Sequence, residues 1–235
     1  MKNFAAFMTF LSLVVLSSCT LESSDTDGSQ PYAAVSVYAL SPDAPYLNVF
    51  LNQNTIAANV PFGSYTLYNQ VLAGTTTINA QVAGGASTIV NTSFPTSEGK
   101  YYSVFLVDSF SSVKAVTISD NLQPVTGDSI RIRFFNFSPD APAVDMVSST
   151  DSSNKKVMWA NRSFTDSANS DSINNFIYAS TGSYTFSVVK SNSTDTLATF
   201  ARTDLTKAGN YTLFLKGFYT NSTGDTTISL GIRPH

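Results

Sequence analysis

One cysteine, one histidine and one tryptophan occur in 235 residues, and charged side chains make up only 12% of them. Each shortage excludes a chemistry. A lone Cys19 cannot close an internal disulfide. With His235 the only histidine, the Ser–His–Asp and Cys–His relays of nucleophilic catalysis lack their base. Zinc-type centres lack their nitrogen and sulfur donors for the same reason. Glutamate occurs only at Glu22 and Glu98, and many of the aspartates, among them Asp151, Asp166, Asp171, Asp195 and Asp225, fall in stretches rich in Ser and Thr. Two acids facing each other across a cleft, which glycoside hydrolysis requires, are not evident. Thirteen Lys and Arg stand against sixteen Asp and Glu, so no basic footprint for nucleic acid exists. The sequence therefore predicts no enzyme, no cofactor, no metal centre and no nucleic-acid partner.

What is present is Ser, Thr and Asn in place of charge, with 43% hydrophobic residues including 17 Phe and 11 Tyr, enough for a packed core. Residues 1–18 read as a signal peptide: Lys2 is the basic start, and Phe4 to Leu16 is an apolar run too short to span a bilayer. The run ends in Leu16-Ser17-Ser18-Cys19, which resembles a bacterial lipobox. On that resemblance Cys19 becomes the first mature residue, carries several acyl chains and makes the membrane a partner. Simple secretory cleavage, with Cys19 a bystander, is the alternative, and an uncleaved membrane helix is a third. Residues 19–31 are polar and acidic with no hydrophobic period, a flexible tether spanning roughly 20 Å. Thr20, rather than Asp, follows the cysteine, which by the same resemblance implies the outer membrane. The cluster Glu22, Asp25 and Asp27 looks like a loose surface-export signal, although solvation alone selects the same residues.

Beyond the tether the chain repeats itself. The pentapeptide SPDAP occurs at Ser41–Pro45 and again at Ser138–Pro142, 97 positions on. Alternating strand-like segments precede it (Ala34–Leu40, Arg131–Phe137) and follow it (Tyr46–Phe50, Ala143–Val147). Later landmarks align at growing offsets: Ala58-Asn59 with Ala160-Asn161, Gly74 with Gly182, and Gly99-Lys100-Tyr101 with Gly209-Asn210-Tyr211, the last 110 apart. Growth in small steps is what loop insertions produce, chiefly at Ser148–Lys155 and Ser163–Asn174. Seven or eight short strands per copy, with no sustained helical period, predict an all-β chain of two tandem antiparallel β-sandwich modules of immunoglobulin- or transthyretin-like type, 32–122 and 128–235. Pro124 and Gly127 mark the boundary. Tyr101–Val107, apolar on both faces, is expected at the centre of a sheet, and Thr226–Ile232 at an edge.

These landmarks carry a family resemblance. SPDAP, Asn-Val-Pro-Phe-Gly (Asn59–Gly63), Ala-Gly-Thr (Ala73–Thr75) and Gly-Lys-Tyr-Tyr (Gly99–Tyr102), in that order, resemble the family called domain of unknown function 4397 (DUF 4397). The resemblance covers Ala34 to about Leu122. The second copy matches at SPDAPAVD, Gly182-Ser-Tyr-Thr and Gly209-Asn-Tyr-Thr, and has Arg162-Ser163-Phe164 in place of Pro-Phe-Gly. The family implies a secreted or cell-surface β-sandwich, often in tandem behind a lipoprotein signal, and lends no catalytic residue.

SPDAP explains itself as a turn. Pro42 and Pro139 preset φ, Ser41 and Ser138 offer a hydroxyl to the backbone, Asp43 and Asp140 accept N–H groups, and Pro45 and Pro142 force extended geometry before the next strand. The alternative, Ca²⁺ held by Asp43 with Asn48 and by Asp140 with Asp145, supplies far fewer than the required six to eight oxygens. Trp159 and Tyr178 are candidate ligand platforms, with Tyr65 and Tyr68 open to the same reading; each is equally a packing residue. Asp-Ser/Thr triplets such as Asp128-Ser129-Ile130 look like an O-glycosylation signal that a Ser/Thr-rich chain also yields by chance. The sequence thus predicts a non-catalytic outer-membrane lipoprotein acting as a binding or structural module. A glycan-binding accessory protein and an envelope scaffold or adhesin are the alternatives, with a glycan or a protein as surface partner.

Overall fold

A computed structural model describes residues 30–150, 154–164, 174–220 and 223–235. Cys19, the signal segment, most of the tether and the middles of both second-copy insertions lie outside the described residues. Residues Pro31–His235 form one compact unit.

The chain is all-β. The first module contains β1 (Tyr32–Ala39), β2 (Leu47–Leu51), β3 (Asn54–Val60), β4 (Asn69–Leu72), β5 (Gly74–Val82), β6 (Thr88–Thr96), β7 (Tyr101–Val107) and β8 (Lys114–Asp120). The second contains β9 (Ser129–Asn136), β10 (Val144–Ser149), β11 (Lys155–Arg162), β12 (Ile177–Ser180), β13 (Gly182–Lys190), β14 (Thr196–Leu205), β15 (Asn210–Lys216) and β16 (Ser229–Pro234). The first sandwich pairs sheet β4-β1-β7-β8 with sheet β3-β2-β5-β6, and the second pairs β12-β9-β15-β16 with β11-β10-β13-β14. The second order is the first with every strand advanced by eight. One pairing in each module, β1 with β7 and β9 with β15, is parallel rather than antiparallel. Alternation of apolar residues fixes which face is buried but not strand direction, so the sequence did not distinguish it.

Pairing also corrects one alignment. In the first module Tyr38 faces Phe105 across the ladder, and in the second Phe135 faces Phe214. Tyr38 and Phe135 differ by 97 and Phe105 and Phe214 by 109, so Gly209 corresponds to Lys100, not to Gly99 as sequence identity implied. Both Lys100 and Gly209 offer their carbonyl to the first strand, at Ala34 and Arg131, 2.9 Å in each case. A one-residue slip would have turned each β15 side chain to the wrong face.

Each sandwich has its own core. Val35, Val37, Leu47, Val49, Ile78, Val104 and Leu106 fill the first. Ile130, Ile132, Phe134, Met146, Phe186, Leu213 and Leu215 fill the second. A third core lies between the modules: Tyr38, Leu40, Phe105, Val107 and Ile118 pack on Phe135, Phe137 and Phe214. These residues occupy the opposite face of the same strands, so β4-β1-β7-β8 and β12-β9-β15-β16 are covered on both sides. That is why Tyr101–Val107 is apolar in both phases. It is central in its sheet, as expected, and its second face is buried by the other copy. β16 is an edge strand, also as expected.

Candidate functional site

In each module SPDAP forms the turn that follows the first strand. The Ala44 N–H donates to the Ser41 carbonyl at 3.4 Å, closing the turn. The acids reach beyond that turn. Asp43 accepts from the Phe110 N–H at 2.7 Å, 67 residues away. Asp140 accepts from the Tyr219 N–H (2.7 Å), the Thr220 N–H (2.8 Å) and the Thr220 hydroxyl (2.7 Å). Burial raises the Asp140 pKa, but these donors outweigh it and hold the carboxyl below its usual range. SPDAP is therefore a staple, tying the turn after the first strand to the loop after the parallel partner strand. The serines also depart from expectation. Ser41 Oγ is buried without a partner, and Ser138 Oγ donates to the Gly217 carbonyl at 2.6 Å. Both are packed against the module rather than facing their own turn.

Asn48 and Asp145, the other oxygens of the Ca²⁺ reading, are likewise engaged. They accept from the N–H of Asn59 (3.0 Å) and Asn161 (2.8 Å), residues held at φ +52° and +53°. Asparagine tolerates that left-handed geometry better than most residues. Asp145 accepts from Ser191 Oγ as well, at 2.5 Å. Among the described residues no three His, Cys, Asp or Glu side chains converge as metal ligands would.

The densest polar chemistry lies at the junction, where sequence reasoning had not looked. Arg133 and Asp120 form an ion pair at 2.5 Å with both side chains fully buried. Ser103 Oγ and Tyr68 Oη donate to the other Asp120 oxygen, each at 2.7 Å. Arg133 also bonds Thr212 Oγ1 at 2.8 Å and lies over the rings of Phe176 and Phe135. Arg131 reaches the Asn121 carbonyl at 2.8 Å, and Arg233 reaches the Thr66 carbonyl at 2.9 Å while lying over Tyr65. His235 is bound on both ring nitrogens, to Tyr68 Oη at 2.8 Å and Thr212 Oγ1 at 2.7 Å. Burial, with the neighbouring arginines, lowers its pKa to about 3 and keeps it neutral. Burial and the adjacent Asp120 carboxylate push the Tyr68 phenol far above its usual value, while burial raises Tyr38 to about 12. Tyr68 is thus a junction residue rather than a surface platform, while Tyr65 packs under Arg233 and stays 39% exposed.

Trp159 is 7% exposed and packs in the second core against Phe134. Its ring offers no face to a ligand, which corrects the platform reading. Tyr178 is 69% exposed. It lines a cleft of about 430 Å³ in the second module with Ser148, Asn154, Lys156, Met158 and Tyr184. A second cleft of about 420 Å³ opens at the seam, lined by Phe62, Gly63 and Ser64 of the first module and by Lys216, Asp225 and Ser229 of the second. Here each module lends a lysine to a ring of the other: Lys216 Nζ lies 4.6 Å from the centre of Phe62, and Lys114 Nζ lies 4.6 Å from that of Phe164. Phe164 stands where Phe62 does relative to the left-handed Asn161 and Asn59, so the second copy keeps the phenylalanine of the Pro-Phe-Gly element and loses its neighbours.

A doubled eight-stranded β-sandwich with stapled turns is the class these features define. Residues 33–147 match the model of the family described as Domain of unknown function (DUF4397). No curated protein matches the chain. Among solved structures it is similar to a family 41 carbohydrate-binding module from streptococcal virulence factors, described by its alpha-glucan recognition (9% identity, TM-score 0.29, 85% of this chain and 96% of that one). It is also similar to CBMbc, a family CBM26 module of Eubacterium rectale Amy13K in complex with maltoheptaose (11% identity, TM-score 0.26, 87% and 97%). At scores this low neither likeness carries an argument about what the chain binds.

Proposed function

We propose that the chain is a non-catalytic lipoprotein of the cell envelope. Cys19 carries the lipid, residues 19–31 are the tether, and the two modules stand off the outer membrane as one binding or structural body. The supporting observation is where the ionisable groups go. Asp120 and Arg133 are buried in an ion pair, His235 has both nitrogens bound, Asp43 and Asp140 accept N–H groups of distant loops, and Asp145 accepts that of Asn161 on the neighbouring strand. These groups, which acid–base catalysis could otherwise use, are spent on joining strands and modules. Metabolic labelling with an alkyne palmitate tests the anchor. The wild-type chain incorporates label and fractionates with the outer membrane, and Cys19→Ala does neither; equal labelling of the two contradicts the proposal.

Glycan binding is the second reading. It is favoured by clefts lined with hydroxyl, amide and aromatic groups, at Tyr178 and at the seam, and it makes no use of Trp159. Titration of the mature chain with soluble oligosaccharides tests it: saturable binding supports the reading and its absence removes it.

A further inference from the structure

The two cross-module lysines do not have the same surroundings. Lys114 spends its charge on Asp108 at 3.3 Å. Lys216 is half-buried in the seam cleft, donates one hydrogen bond, to Ser229 Oγ at 3.1 Å, and among the described residues has no carboxylate within ion-pair distance. An ammonium carries three N–H donors, and a partly desolvated cation with one neutral acceptor is costly. Burial accordingly lowers its pKa, and the charge of Asp225 opposes that shift.

The cleft is built around this ammonium. Gly63 sits at φ +82°, and a Cβ there would stand 3.2 Å from Lys216 Nζ. Gly217, at φ +90°, lets the chain after β15 approach Thr227 so closely that a Cβ would lie 2.4 Å from its carbonyl oxygen. That contact sets the wall carrying Thr227, Ile228 and Ser229.

We propose that the seam cleft is a binding site for a neutral saccharide unit, held between Lys216 and Asp225. This rests on the glycan reading and names its site. A free anion meets the repulsion of Asp225, and a cation meets that of Lys216. A sugar with neighbouring hydroxyls suits both, one hydroxyl accepting from the ammonium and the next donating to the carboxylate, with Ser64, Thr227 and Ser229 as further partners. Phe62 and Ile228 supply apolar wall, and about 420 Å³ lies within the range of small-molecule sites. Among the described residues that line it, the Tyr178 cleft presents a single cation, Lys156, and no acid, so they do not make this pairing.

The test is calorimetric titration of the mature chain with cellohexaose, maltohexaose, xylohexaose and an oligogalacturonate, repeated on Lys216→Met, Asp225→Asn and Tyr178→Ala. Thermal unfolding of each variant confirms that it is folded. The expected result is binding of a neutral oligomer that weakens about tenfold in Lys216→Met and in Asp225→Asn, the loss of roughly one charge-assisted hydrogen bond, and stays within about twofold in Tyr178→Ala. Binding that survives both seam variants and fails in Tyr178→Ala overturns the seam site and leaves the glycan reading standing. Preference for the oligogalacturonate over every neutral oligomer overturns the neutral-ligand argument. No binding of any oligomer overturns both the site and the reading.

Discussion

The two modules share a strand order, a staple and a left-handed asparagine, yet the faces they turn to each other differ. At positions equivalent by pairing, the first module has Ala34 and Ser36 where the second has Arg131 and Arg133. It has Ile118 and Asp120 where the second has Arg233 and His235. The second module thus supplies the cations and the first supplies acceptors: the Asp120 carboxylate, the Thr66 carbonyl and, just beyond β8, the Asn121 carbonyl. The repeat preserved its internal packing while these outer faces became complementary. Independent beads on a linker would have kept both faces polar and wet. Here they bury a third aromatic core and a desolvated ion pair, and the cavity at their margin is where unspent polar groups collect.

Removing the acid of that pair has the largest expected effect. Asp120→Ala leaves Arg133 charged and buried, at a cost of about 3–5 kcal/mol, read as a lower denaturant midpoint. The double variant Asp120→Leu with Arg133→Met restores much of that stability, because a packed apolar pair avoids the desolvation. Truncating the third core is comparable: Phe105→Ala, at a fully buried position, costs about 3–5 kcal/mol. A cost near zero for either would mean that the modules barely depend on each other.

The histidine that stands at the position equivalent to Asp120 makes stability depend on pH. His235 is held neutral, with a folded pKa of about 3 against 6.5 unfolded. Its contribution to stability is full above pH 6.5 and is lost as pH falls through that window toward 3, because unfolding takes up a proton. Unfolding free energy measured from pH 7 to 4 falls in the wild type, and the fall is shallower in His235→Gln. Identical slopes would remove the histidine from the account.

A smaller effect separates the two staples. Asp140 accepts three hydrogen bonds and Asp43 accepts one. Asp140→Ala is expected to cost about 1–3 kcal/mol and Asp43→Ala about 0.5–1.5 kcal/mol. The reverse order in thermal unfolding would contradict the geometry.

Much of the fold was legible because local chemistry enforces it. SPDAP repeats because each copy must turn at the same place, and strand periods placed the sandwich strands. The junction was only half legible. Tyr101–Val107, apolar in both phases, signalled a second buried face, but Arg131-Ile132-Arg133 reads by alternation as a strand with one wet side. Nothing local distinguishes a solvated arginine from one buried on a partner carboxylate. Asp120 was invisible for the same reason, and His235 was weighed only as a missing catalyst or ligand. Trp159 shows the opposite error: a rare aromatic near lysines invites a surface role, but its strand turns it toward Phe134.

If the two modules unfold as one body, differential scanning calorimetry of the mature chain gives one transition whose calorimetric and van't Hoff enthalpies agree, splitting into two in Asp120→Ala; two separate transitions in the wild type would show that the modules unfold independently.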